Sequence, residues 1–117
     1  MQQQEHAEKR DQEQEEVLEP TPLELRVRPR AMQGPGTIRV TAIVERHAAN
    51  REITLEAESG GFLRRSSRSL EGADTATKYT RVFAGLPPGT YEVTARLERN
   101  DGTEILDVVM VEVFGRR

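Results

Sequence analysis

The stretch Gly85-Leu86-Pro87-Pro88-Gly89-Thr90-Tyr91 separates two runs in which apolar and polar residues alternate. Pro87 and Pro88 have no N–H to donate to a β-ladder, and their rings hold the chain extended. Gly89 can adopt the positive φ that a turn before a strand requires. The stretch is therefore predicted to be a tight corner between two strands of a small β-sandwich, and not a catalytic loop.

The run after this corner has the pattern of a half-buried strand, because every second residue is apolar. One face carries Tyr91, Val93, Ala95 and Leu97, and the residues between them are polar. Similar runs begin upstream at Leu23, Thr37, Ile53 and Thr77, and the piece from Phe62 to Leu70 is ambiguous, with a short edge strand as one interpretation. One core is expected to contain Ile38, Val40, Ile53, Leu55, Phe83, Tyr91, Val93, Leu97, Val109 and Val111.

The last two strands are predicted to form a hairpin around Asn100-Asp101-Gly102, since these residue types tolerate the left-handed conformations of tight turns. The final strand is apolar on more of its circumference than the others, which indicates a central position or an extra partner strand. About seven strands and no helix are expected within the domain. The predicted fold class is all-β, an immunoglobulin-like antiparallel β-sandwich with a disordered N-terminal tail.

The segment from Phe83 to Val93, which contains the corner, resembles a motif of bacterial immunoglobulin-like and transthyretin-like domains, including the carboxypeptidase regulatory-like group. It is also similar to the proline-glycine turn of fibronectin type III domains, although those place one more residue between leucine and tyrosine. The resemblance implies a sandwich in which the tyrosine enters the core. It implies little about function, because such domains serve as spacers, adhesive modules and enzyme appendages.

The chain divides into two parts by composition. Residues 1–22 are predicted to be a disordered acidic tail or linker rich in Glu and Gln, and residues 23–115 form the sandwich domain. The first 20 residues contain seven acidic and two basic side chains, a net charge of −5 within a whole-chain charge of −3, so the remainder carries +2. Net charge therefore implies neither a strongly acidic nor a strongly basic partner for the domain.

The chemistry of the usual catalytic sites is hard to assemble from this sequence. There is no cysteine, and the two histidines are His6 in the tail and His47 in an expected turn. Paired carboxylates such as Glu56 and Glu58 fall on the polar face of a strand, where cross-strand arginines would neutralise them. The chain is therefore expected not to be an enzyme and to use no metal or cofactor.

One surface segment is a candidate binding site. Three arginines stand among serines beside an apolar pair, at Phe62, Leu63, Arg64, Arg65 and Arg68. Guanidinium groups suit an anionic glycan, a phosphate or an acidic protein segment. The alternative is an edge strand whose charges prevent unwanted strand pairing.

The sequence thus favours a non-enzymatic interaction or spacer module of an exported or cell-surface bacterial protein. Periplasmic or extracellular location is expected, with a signal peptide outside the given chain, and cytoplasmic location stays open. The alternative function is an accessory domain of an enzyme or secretion assembly that binds a glycan or anionic ligand through Arg64, Arg65 and Arg68. The expected partner is a protein or glycan, with no nucleic acid and no membrane insertion, and the chain is expected to be a monomer or weak oligomer.

Overall fold

A computed structural model describes residues 21–70 and 77–115 of the chain, so the predicted tail lies outside the described residues except for its last two positions. The fold class is confirmed, because two packed sheets, mostly antiparallel, contain all eight described strands. These strands are β1 (Leu23–Arg28), β2 (Ala31–Gln33), β3 (Gly36–Val44), β4 (Asn50–Ser59), β5 (Phe62–Ser69), β6 (Thr77–Leu86), β7 (Gly89–Arg99) and β8 (Glu104–Phe114).

One sheet has three strands in the order β1-β3-β6, and the other has five in the order β2-β8-β7-β4-β5. Every pairing is antiparallel except the short parallel pairing of β2 with β8. Cross-strand register brings the alternating apolar residues together, as where Leu55 of β4 faces Ala95 of β7. The inner faces of the two sheets supply a single cluster of buried side chains.

The predicted core is confirmed for nine of its ten residues, and Val109 is the exception because it is only half-buried. Val109 belongs to β8, whose outer edge has a neighbouring strand among the described residues only where β2 pairs with Glu112, Val113 and Phe114. The inward side chains near the middle of β8 therefore lie close to the rim of the sandwich. Edge position, which alternation alone does not reveal, explains this difference.

The proline corner forms as predicted between β6 and β7. Gly85 has a φ of 69°, in the left-handed region that favours glycine. Leu86 and Tyr91, on either side of the corner, are both fully buried, and the Tyr91 hydroxyl donates to the Pro87 carbonyl oxygen at 2.6 Å. This hydrogen bond satisfies the one polar atom of a side chain that is otherwise packed in the core.

The hairpin between β7 and β8 also forms where predicted. Gly102 has a φ of 89°, and the Arg99 N–H donates to the Thr103 carbonyl oxygen at 2.9 Å. The Asp101 carboxylate accepts from the Thr103 N–H at 2.8 Å, and this backbone hydrogen bond is the main reason why the pKa of Asp101 is lowered. The segment is therefore accounted for as a turn.

Two strand assignments differ from the sequence-based prediction. β2 was not expected, because three residues between Pro29 and Pro35 are too few to show a period of two. The ambiguous piece is a complete eight-residue strand, β5, at the edge of the five-stranded sheet. Its serines and arginines conceal the strand because they are seldom buried.

Candidate functional site

The candidate binding residues all lie on β5, but the strand divides them between two faces. Leu63 and Arg65 face outward, opposite Glu58 and Glu56 of β4. The others, Phe62, Arg64 and Arg68, point to the inner side, opposite β4 residues that include the buried Ala57 and Ile53. The three arginines therefore share an edge strand without sharing a surface.

The outward arginine is already engaged with a carboxylate of its own sheet. The Arg65 Nε and one terminal nitrogen donate to the same Glu56 oxygen at 2.8 and 2.6 Å. This is the cross-strand neutralisation that the alternation predicted for Glu56. Arg65 is consequently a poor candidate for capturing an external anion, because its charge is compensated within the sheet.

The inward arginines contact aromatic rings instead. The guanidinium carbon of Arg64 lies 4.6 Å from the ring centre of Phe62, and that of Arg68 lies 5.9 Å from the ring centre of Tyr79. Phe62 in turn packs edge-on against Tyr91, with ring centres 6.2 Å apart. Both guanidinium groups are exposed and have no carboxylate partner among the described residues.

A second basic surface occupies the outer face of the three-stranded sheet. We call it the basic face, and an open depression of about 250 Å³ on it is lined by Arg26, Arg28, Arg39, Thr41 and Lys78. Its position follows from register, because β1 residues alternate with the core residues Leu25 and Val27 and therefore point outward.

The charges of the basic face are only partly compensated. Arg26 is paired with Glu24 at 2.8 Å. Arg28 and Arg39 lie directly opposite each other in the β1–β3 ladder. Within the described part of the chain, neither their side chains nor that of Lys78 make a hydrogen bond or an ion pair. Like charges directly opposite each other destabilise a sheet. A bound anion would reduce the repulsion between these two arginines.

The outer face of the five-stranded sheet carries a stripe of exposed apolar side chains along β8, which we call the β8 stripe. Its members are Leu106, Val108, Met110 and Phe114, with exposed fractions of 52%, 47%, 49% and 50%. Alternation places them on one face, opposite Arg96, Thr94 and Glu92 of β7. The extra partner strand that the apolar sequence suggested is β2, which pairs only with the end of β8, and no strand among the described residues covers this outer face.

Glutamates dominate the rest of that outer face. They come from β4, β7 and β8, and three of them are paired with arginine, as Glu56 with Arg65, Glu98 with Arg51, and Glu104 with Arg96. Glu58 and Glu92 face each other across the β4–β7 ladder, and neither is paired with a cation among the described residues. The outer face of the five-stranded sheet is therefore mainly acidic, whereas that of the three-stranded sheet is mainly basic.

One carboxylate connects the edges of the two sheets. Asp107 of β8 accepts the Leu25 N–H of β1 at 2.9 Å through one oxygen and the Val108 N–H at 3.0 Å through the other. Both N–H groups lie on strand edges without a neighbouring strand at that position. The side chain thus satisfies backbone donors that an edge strand would otherwise expose.

The described ranges contain no cluster of three or more residues suited to hold a metal ion. Nor do they contain a helix that is long and apolar enough to cross a membrane. His47 is exposed, and its Nδ1 accepts from the Ala49 N–H at 3.0 Å, as expected for a turn residue.

Sequence reasoning missed the basic face, and it interpreted the apolar residues of the β8 stripe as a sign of a central position or of an extra partner strand. Arg26 and Arg28 alternate with core residues, so their outward direction was readable, but their proximity to Arg39 depends on the β1–β3 register. The chain matches no protein-family model, and no curated protein shows significant sequence similarity to it.

Proposed function

We propose that the chain is a non-enzymatic, immunoglobulin-like interaction module of an exported or cell-surface bacterial protein, and that it contacts a protein partner through the β8 stripe. The observation that carries the proposal is the row of four large apolar side chains, each about half exposed, on one strand. Exposed apolar surface of this kind, surrounded by polar residues, marks interaction sites in soluble proteins. A domain that served only as a spacer would have no need of it.

The immunoglobulin-like assignment rests on strand order and on the corner. In immunoglobulin folds the first, second and fifth strands share a sheet, and the third, sixth and seventh share the other. With β2 set aside as an addition at the edge, β1, β3 and β6 are the first, second and fifth strands, and β4, β7 and β8 are the third, sixth and seventh. The fourth strand, β5, lies beside β4 instead of beside the fifth strand as in the constant-type fold. The hydrogen bond from Tyr91 at the start of β7 to Pro87 corresponds to the tyrosine corner of that fold.

The chemistry of the β8 stripe indicates what would bind there. Leucine, methionine and phenylalanine supply apolar area, and unpaired Glu92 lies beside Met110 in the ladder. A partner surface with apolar side chains at its centre and a basic group at its rim would complement this arrangement. Val82, which is 54% exposed on the other sheet, offers a matched comparison because its ladder neighbour Arg39 is charged.

Photo-cross-linking in the cells that express the protein tests the proposal. We expect a photoreactive amino acid at Met110 or Val108 to give a defined protein adduct, and the same residue at Val82 to give none. Leu106→Thr, which removes apolar area while keeping a strand-forming residue, should weaken the adduct from Met110 without altering the fold. Equal adducts from Val82 and Met110, or no adduct from the stripe, would contradict the proposal.

A second candidate function, the accessory domain that binds an anionic glycan, is supported by Arg64 and Arg68. Both are exposed on β5 without a carboxylate partner among the residues described, whereas Arg65 is paired. Stacking on Phe62 and Tyr79 would hold the two guanidinium groups in place for an anion.

Retention on a sulfated-glycan matrix tests this candidate, with a double substitution of the unpaired arginines as the target and a single substitution of the paired arginine as the control. We expect Arg64→Ser/Arg68→Ser to elute at clearly lower salt than the parent, and Arg65→Ser to elute close to the parent, because only the first variant removes uncompensated charge. If both variants eluted with the parent, β5 would not be the binding surface and its arginines would act only to protect an edge.

A further inference from the structure

We propose that the basic face is the docking surface for the acidic N-terminal segment of the same chain, residues 5–19. The segment would lie across the outer face of the three-stranded sheet, with its carboxylates near Arg28, Arg39 and Lys78. This contact differs from the binding of a protein partner through the β8 stripe, which lies on the other sheet.

The first argument is the uncompensated charge of the surface. Arg28 and Arg39 face each other in the β1–β3 ladder, and Lys78 lies on β6 at the position opposite Ile43. All three are exposed, and no described carboxylate is paired with any of them. A carboxylate placed between the two arginines would reduce their mutual repulsion and accept charge-assisted hydrogen bonds from both.

The second argument is the charge and position of the segment. Residues 5–19 contain all seven acidic side chains of the first 20 positions, at Glu5, Glu8, Asp11, Glu13, Glu15, Glu16 and Glu19. The described residues begin at Thr21, two positions before β1, and β1 supplies Arg26 and Arg28. Fifteen residues can span about 50 Å when extended, more than the roughly 20 Å length of a six-residue strand, so the segment can reach the whole basic face.

The third argument is that covalent attachment favours this occupant over a free anion. A tethered segment is present at its own surface at an effective concentration in the millimolar range, whatever the concentration of the protein. The opposite outer face is rich in glutamate and would repel the segment. Charge complementarity therefore favours the basic face over the acidic outer face as the docking surface for the segment.

The contact does not require the segment to fold. Exposed ion pairs contribute only about 0.2–1 kcal/mol each, so several of them would hold the segment near the surface without fixing one conformation. This is compatible with the sequence-based prediction of a disordered tail, because almost no apolar area is buried. The same weakness makes the contact sensitive to salt.

Paramagnetic broadening of amide signals tests the proposal. The chain has no cysteine, so Gln12→Cys provides a unique site for a nitroxide label. At about 10 mM salt, where the Debye length is about 30 Å, we expect loss of signal intensity for the amides of Arg28, Arg39 and Lys78. Amides of the β8 stripe should keep their intensity. At about 1 M salt, where the Debye length is about 3 Å, the broadening should disappear.

Two variants with equal changes in net charge supply the control. Arg28→Gln/Arg39→Gln/Lys78→Gln should abolish the broadening, and Arg64→Gln/Arg65→Gln/Arg68→Gln should preserve it, because only the first set lies on the basic face. The substituted side chains are exposed, and the unlabelled spectra of both variants verify that the domain is folded. Broadening that is equal on both outer faces, persists at high salt, or responds equally to the two variants would overturn the proposal.

Discussion

The Tyr91→Ala protein is expected to be about 3 kcal/mol less stable than the parent, because it loses the burial of a large aromatic side chain and leaves a cavity. Tyr91 is 1% exposed, packs against Phe62, and supports the corner through its hydrogen bond to Pro87. Urea or thermal unfolding of the parent and the variant measures the difference. An unchanged midpoint would show that Tyr91 is not an anchor of the core.

Tyr91→Phe is the matched control, because it keeps the ring and removes only the hydroxyl. We expect a smaller loss of stability, about 1 kcal/mol, for the hydrogen bond to the Pro87 carbonyl oxygen.

Burial raises the pKa of Tyr91, and the positive charge of Arg64 opposes this to a lesser extent. The folded state therefore retains the phenolic proton at a pH where the unfolded chain releases it, so this contribution to stability falls as the pH rises above about 10. The Phe variant should lack that component of the alkaline decrease.

The strands and most of the core were predictable because apolar residues alternate along them. In β7 every second residue from Tyr91 to Leu97 is buried, as its sequence indicates. The proline corner and the Asn100-Asp101-Gly102 turn were predictable for a different reason, since they depend on residues with special backbone preferences. β5 was the ambiguous case, because an edge strand of serines and arginines buries too little to leave an apolar period.

The surfaces were harder to predict because they depend on which strands are neighbours and in what register. Arg64 and Arg65 are adjacent in sequence, but the period of two sends them to opposite faces of β5. Arg28 and Arg39 are separated by eleven positions, and only the β1–β3 register brings them opposite each other. The alternation of apolar and polar residues within a strand can be read from that strand alone. The residues that share one face of a sheet are known only once the strands are paired in register.

The role of Asp107 also depends on which strands are neighbours and was not predictable from the sequence. In sequence it is one aspartate within an apolar strand, and nothing local indicates that β1 lies beside it. In the fold its two oxygens accept N–H groups from β1 and β8, at the open side of the sandwich. The Glu112 N–H donates to the Arg30 carbonyl oxygen beside β2. Because N–H directions alternate along a strand, the N–H groups of Met110 and Val108 point to the same edge of β8. β2 does not extend to that part of β8, and Asp107 protects it instead.

Asp107→Ala is therefore expected to cost about 2 kcal/mol of stability, mainly because the part-buried Leu25 N–H loses a charged acceptor. It should also cause concentration-dependent self-association, since two strand edges with unpaired N–H groups would lie beside the apolar β8 stripe. Asp101→Ala is the control, because that exposed carboxylate also accepts a backbone N–H but lies in a turn away from any open edge. Unfolding curves and sedimentation of both variants over a range of concentrations make the comparison. If Asp107→Ala stayed as stable and as monomeric as Asp101→Ala, the carboxylate would not be what closes the open side of the sandwich.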